Sequence, residues 1–150
     1  VKKSLQLIGI GTFAGLVLSC FFYVIERTTG NKVYTLLLNV DYIPVFRNYT
    51  YSEPVELLFH IIISVLLVYS LYLMIQIWKI KRIIAVCILI NFLLGAILYP
   101  TTGFSTRTPP IESLSAIGYW LAGHLLYGLI LGLLFKLVLR TREKRRGSDL

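Results

Sequence analysis

Four long apolar runs leave this 150-residue chain few folds to choose from. They cover residues 5–25, 55–78, 83–99 and 114–139. A helix needs about 20 apolar residues to cross the roughly 30 Å hydrocarbon core of a bilayer, and about 17 is the lower limit. The third run sits at that limit, and the fourth is long enough to tilt or to reach the headgroups. In lipid every backbone N–H and C=O must be paired within the protein, so only helices and closed barrels span. None of the runs alternates apolar and polar residues as a barrel strand does, so helices are expected. The composition, 57% hydrophobic and 15% charged, exceeds what a soluble core of this size can bury. The expected fold is a single all-α transmembrane domain over residues 1–150, a four-helix bundle.

The basic residues orient the bundle. Most of the 15 lysines and arginines lie beside alternate ends of the runs. Lys2 and Lys3 precede the first. Lys79, Lys81 and Arg82 fill the turn between the second and third. Lys136, Arg140, Arg142, Lys144, Arg145 and Arg146 close the fourth. The opposite side holds Arg27, Lys32, Arg47 and Arg107. Short cytoplasmic loops carry the excess of positive charge, so both termini are expected in the cytoplasm, N-in and C-in. The basic tail, 140–150, is read as a partner of anionic lipid headgroups. No aromatic residues interleave with its charges, which argues against nucleic acid.

Two outer connections follow from this orientation. The first, 26–54, contains the apolar stretch 33–40, too short to span and flanked by Tyr34, Tyr42, Phe46, Tyr49 and Tyr51. Aromatic rings favour the membrane–water boundary, so this stretch is expected to lie along the outer interface. The second, TTGFSTRTPPIES, ends in Pro109-Pro110, which cannot continue a helix and precede the fourth span. Lys2-Lys3 before an apolar run resembles a signal peptide, and Val17-Leu18-Ser19-Cys20 a loose lipoprotein box. The run continues apolar through Ile25, so an uncleaved span is the preferred reading. Cys20 and Cys87 differ in expected depth by about 15–20 Å, too far for a disulfide.

Polar residues within spans are the informative ones. Glu56, His60 and Ser64 repeat every four residues along one face of the second span. Asn91 in the third and His124 in the fourth both fall near mid-depth, where they could meet. The functional reading is a polar, proton-responsive interior, since histidine titrates near pH 6.5 when unperturbed. The competing reading is that these groups only hydrogen-bond helices together, His60 through Glu56 and His124 across helices. Two histidines with Glu56 or Glu112 could form a zinc site, but no ligand spacing supports one, and no metal is assigned. No Gly-rich phosphate loop or Ser nucleophile elbow is present, so no cofactor is expected.

Gly11 and Gly15 in the first span, and Gly128 and Gly132 in the fourth, also repeat every four residues. Small residues let helices approach closely when water supplies no driving force. Packing within the bundle is the first reading, and homo-oligomer formation the alternative.

Several segments resemble a known family. GTFAGLVLS in the first span, HIIISVLLVYSLYLM in the second, YPTTGFSTRTPP in the second outer loop and GYWLAGHLLYGLILG in the last span are similar to the YagU-type bacterial inner-membrane proteins. The long first outer loop departs from that pattern. A weaker similarity is to YqhR-like membrane proteins. The first resemblance implies a bacterial inner-membrane location and an association with acid resistance, with His60, Ser64 and His124 on matching positions. It implies no reaction.

The leading expectation is therefore a non-enzymatic membrane protein that responds to, or conducts, protons or small solutes. The alternative is a structural or assembly partner of another membrane protein. The third is an intramembrane enzyme acting on lipid or peptide.

Overall fold

Each apolar run becomes one helix in the computed structural model of the chain, which describes residues 2–46 and 49–148, with 140–148 described by backbone alone. Helix α1 runs Lys2–Thr29 and stops where Gly30, at φ 74°, donates its N–H to the Glu26 carbonyl at 2.9 Å. Glycine tolerates that left-handed backbone because it has no Cβ. After α1 comes a short helix, α2, Val33–Leu38. Helix α3, Glu53–Ile77, opens with proline in its first turn and with Glu53 and Glu56 there. Both carboxylates favour the positive end of the helix dipole. Its other end closes with Lys79 at φ 48° and a hydrogen bond from Ile80 N–H to the Ile75 carbonyl at 3.1 Å. That is a Schellman stop, and it turns the chain sharply into α4.

Helix α4, Ile83–Leu98, has 16 residues and a length of about 24 Å, short of a bilayer core. A 3₁₀ segment, Tyr99–Phe104, continues it, so Ile83–Phe104 reaches 22 residues. The last helix, α5, runs Leu114–Ser148, with its apolar part at Leu114–Leu139. Among the described residues there is no strand. Four helices are thus long and apolar enough to cross a membrane, the architecture of a multi-pass membrane protein. Both long connections gather at one end, the loop end. The start of α1, the end of α5 and the turn between α3 and α4 lie at the other, the terminal end. The side chains of the basic tail, expected to meet lipid headgroups, lie outside the described residues, as does Arg47.

The helices pack in the order α3, α1, α5, α4, while α3 and α4, joined by a short turn, scarcely touch. Glycines set the close approaches. A Cβ on Gly11 would come within 2.7 Å of Val65 Cα, and one on Gly15 within 2.9 Å of Ile61 Cδ1, so both face α3. A Cβ on Gly128 would come within 2.7 Å of the Cys87 carbonyl oxygen, and one on Gly132 within 2.7 Å of Ile84 Cα, so both face α4. Between α1 and α5, Gly123 makes room for the Phe22 ring, which stacks on Trp120 at 5.3 Å. Cys20 is exposed on α1 and Cys87 buried on α4, and neither is bonded.

The segment 33–40 does more than lie along an interface. Val33, Leu36, Leu38 and Val40 are buried against the protein, and α2 packs on α1, α3 and α5. Apolar residues too few to span find cover by folding over the loop end of the bundle. Lys32 offers α2 no side-chain cap. Glu26 of α1 takes that role, accepting from Thr35 N–H at 2.8 Å and from Thr35 Oγ1 at 2.7 Å. Tyr34 donates to Glu53 at 2.9 Å, and burial together with that carboxylate pushes its phenol pKa up.

Replacing a facing glycine should separate a helix pair. Gly11→Leu or Gly132→Leu is expected to lower stability by about 1–3 kcal/mol through overpacking. Gly118→Leu, at a position with nothing within 4 Å, should leave stability unchanged or slightly raised. Thermal unfolding in mild detergent reads the difference.

Candidate functional site

The polar residues singled out in the sequence divide between two places. Glu56 does not turn toward His60. Its carboxylate faces the second connection, where Arg107 grips it with two hydrogen bonds, Nη1 to Oε1 at 2.8 Å and Nη2 to Oε2 at 3.2 Å. This fork is the strong, planar form of a charge pair. Those bonds hold the guanidinium pKa above its ordinary value, against the opposing effect of burial. Asp41 lies 3.8 Å from the same guanidinium and accepts from Ser105 Oγ at 2.9 Å. Around the cluster the second connection is tied to itself, with Thr108 Oγ1 donating to the Thr102 carbonyl at 2.8 Å. A polar hollow of about 520 Å³ opens beside it, lined by Glu26, Arg27, Lys32, Tyr34, Glu53 and Arg107 among others.

His60, Ser64, Asn91 and His124 all line a second cavity, of about 330 Å³, in the gap between α3 and α4. Its rim is mainly aliphatic; the polar exceptions, Ser70 and Thr101, donate their hydroxyls to the Leu66 and Leu98 carbonyls. Ile63 and Leu66 on α3 and Leu98 at the end of α4 stand exposed there. Leu36 and Leu37 of α2 and Tyr42 form the roof toward the loop end. The floor is polar and lies about 10–16 Å along each helix, near the middle of a bilayer-length span. Both histidines and Asn91 therefore share one cavity, although no hydrogen bond joins Asn91 to His124 among the described residues.

The floor's hydrogen bonds fix which groups donate. Ser64 Oγ lies 2.7 Å from the Gly11 carbonyl, which can only accept, so Ser64 donates there. The Tyr127 hydroxyl, 2.6 Å from Ser64 Oγ, must then donate to it. Asn91 donates Nδ2–H to the Cys87 carbonyl at 2.8 Å, which settles the orientation of its amide. His124 Nδ1 is 2.9 Å from the Trp120 carbonyl, so Nδ1 carries the proton and Nε2 is left as an acceptor in the neutral ring. Trp120 donates Nε1–H to the Gly95 carbonyl at 2.8 Å. Gly95 is needed there, because a Cβ would come within 2.7 Å of His124 Cγ. His60 is half-buried, and its Nε2 is sealed from solvent with no hydrogen-bond partner.

Tyr127, Trp120 and Arg107 belong to these sites and were not among the residues singled out. Tyr127 lies three residues beyond His124, on the same helical face, a spacing that sequence can carry. Arg107 was one of four basic residues on its side, and nothing in the sequence selects it for Glu56. Among the described residues, no three of His, Cys, Asp and Glu gather as metal ligands would. Comparison with protein-family models, with curated proteins and with solved structures found no match.

The two halves of the ion pair should respond unequally to removal. Glu56 is 5% exposed and Arg107 46%. Arg107→Ala strands a buried carboxylate and is expected to cost about 2 kcal/mol, below the full penalty of a buried pair because Arg107 is partly solvated. Glu56→Gln leaves a solvated guanidinium and should cost less. Adding it to Arg107→Ala should restore part of the loss in a chemical unfolding series.

Proposed function

We propose that this protein binds a hydrophobic or amphipathic molecule that enters sideways from the bilayer into the cleft between α3 and α4. The observation that carries the reading is the splay of those two helices around a cavity with an aliphatic rim and a polar floor. Its volume, about 330 Å³, is at the small end of the range for ligand pockets. Binding is better supported than catalysis. The Ser64 proton is committed to a backbone carbonyl and no histidine bonds its hydroxyl, so it has no base to activate it. A route for protons or solutes across the bundle has less support, because Val68, Leu71, Leu131 and Phe135 are buried apolar residues between the floor and the terminal end. An assembly role through the glycine faces also has less support, since all four glycines already face α3 or α4.

The proton-responsive reading survives in a narrower form. Protonation of His124 would turn Nε2 from acceptor to donor, so occupancy of the cleft would depend on pH. The location proposed is a bacterial cytoplasmic membrane with both termini inside, resting on the distribution of basic residues. The resemblance to YagU-type proteins adds acid stress as the setting in which to look for a phenotype.

Two measurements test this reading. The chain has two tryptophans, and Trp120 lines the cleft while Trp78 is exposed. In the Trp78→Phe protein, a brominated dodecanol should quench Trp120 fluorescence saturably. Leu94→Phe, which adds bulk to the α4 wall, should weaken that binding at least tenfold. Quenching that only tracks the probe's partitioning into lipid would end the proposal. For topology, a reporter that works only in the cytoplasm should be active when fused to either end, and an inactive C-terminal fusion would reverse the orientation.

A further inference from the structure

We infer that the occupant of the cleft is an uncharged amphiphile with a hydroxyl at its head, such as a long-chain or isoprenoid alcohol or a diacylglycerol. This rests on the cleft being a binding site, as proposed above, and adds which head it recognises.

Among the described residues, no charged side chain lines the cleft. The ionic groups near α3 are spent at the loop end, where Glu56 holds Arg107. A carboxylate, phosphate or quaternary ammonium brought to mid-depth would therefore meet no counter-ion, at high cost in a medium that solvates charge poorly. The head must be neutral.

Most of the floor's own protons are already given away. Tyr127 donates to Ser64, Ser64 to Gly11, Trp120 to Gly95, and His124 Nδ1 to Trp120. What remains on that surface is acceptors: His124 Nε2, Asn91 Oδ1 and the Tyr127 oxygen. No described residue donates to the first two. The Tyr127 oxygen keeps a lone pair after donating. A ligand that offers only acceptors, such as an ether or a ketone, would leave all three of these groups unanswered. A ligand with an O–H satisfies at least one of these groups.

A hydroxyl can also accept, and the site has donors to match. The second N–H of Asn91 is uncommitted. His60 is not counted among them, because its ring hydrogen-bonds the Gly15 carbonyl. Tyr42, at the roof, has a phenol proton that no described residue takes. A group that both donates and accepts answers this mixture, and a hydroxyl is the smallest one an aliphatic chain can carry. The aliphatic rim of Ile63, Leu66 and Leu98 then covers the chain behind it.

Competition separates this inference from the cleft reading itself. The Trp78→Phe protein is loaded with brominated dodecanol, and unlabelled dodecanol or dodecyl methyl ether is titrated against it. The alcohol should displace the probe at a concentration at least tenfold lower than the ether. In Asn91→Leu and in Tyr127→Phe that preference should shrink toward unity while the ether's own displacement stays unchanged. A merely structural effect of either substitution would instead weaken both competitors together. Equal displacement by alcohol and ether in the parent protein would overturn the hydroxyl inference and leave the cleft reading standing. Displacement by neither would overturn both. Covalent dimers formed by Leu66→Cys in a Cys20→Ser background, together with failed displacement, would assign the cleft to a second copy of the chain.

Discussion

The fold depends on where two helices can bring their backbones together. In lipid, apolar surface gains little by leaving one hydrocarbon environment for another, so helix pairs are chosen by close van der Waals approach. Gly11 and Gly15 bring α1 onto α3, and Gly128 and Gly132 bring α5 onto α4. Gly123 lets Phe22 join the two pairs through Trp120. Helix α3 has no glycine at all. The one glycine of α4, Gly95, is taken up by the His124 ring of α5. No glycine is left with which α3 and α4 could close on each other. The cleft follows from that distribution.

The polar groups inside the bundle follow a second rule. Each buried donor must find an acceptor, and the nearest acceptors in a helix are the backbone carbonyls one turn back. Ser19, Asn91 and His124 all bond to the carbonyl four residues before them. Ser64 instead reaches across to Gly11, which only the close approach of α1 permits. Glycine packing and polar bonding are therefore one arrangement. The glycine that lets the backbones meet also presents the carbonyl that takes the Ser64 proton, and this leaves Tyr127 to donate to Ser64 and to face the cleft with its lone pair.

Run length and composition were enough to show four membrane-length helices, because both are properties of a segment by itself. The glycine repeats and the mid-depth polar residues were also visible, because helical periodicity puts them on definite faces. Which face meets which helix was not. The stripe from Glu56 through His60 to Ser64 looked like one feature, since spacing records direction around a helix and nothing about the neighbour. In the structure, Arg107 takes Glu56 toward the loop end, and the gap beside α4 takes His60 and Ser64. How the segment 33–40 packs on the bundle was not legible for a related reason. Its aromatic neighbours suit an interface, but a carboxylate seven positions before it, Glu26, was available to cap its helix and hold it against the bundle.

Helix α2 gives this division of polar residues its meaning. Leu36 and Leu37 form part of the cleft's roof, while Thr35 and Leu38 line the polar hollow on the other side. One six-residue helix therefore separates a compartment crowded with ionised groups from one that has none. Three carboxylates are held at the loop end by hydrogen bonds: Glu56 from Arg107, Glu26 from Thr35 and Glu53 from Tyr34. A ligand coming from the loop end would have to pass those groups and displace α2, breaking the bonds that hold it. A ligand arriving through the bilayer meets mainly aliphatic side chains, Ile63, Leu66 and Leu98 among them, before it reaches the floor. The easier approach is the lateral one, and a molecule that takes it must already be dissolved in lipid.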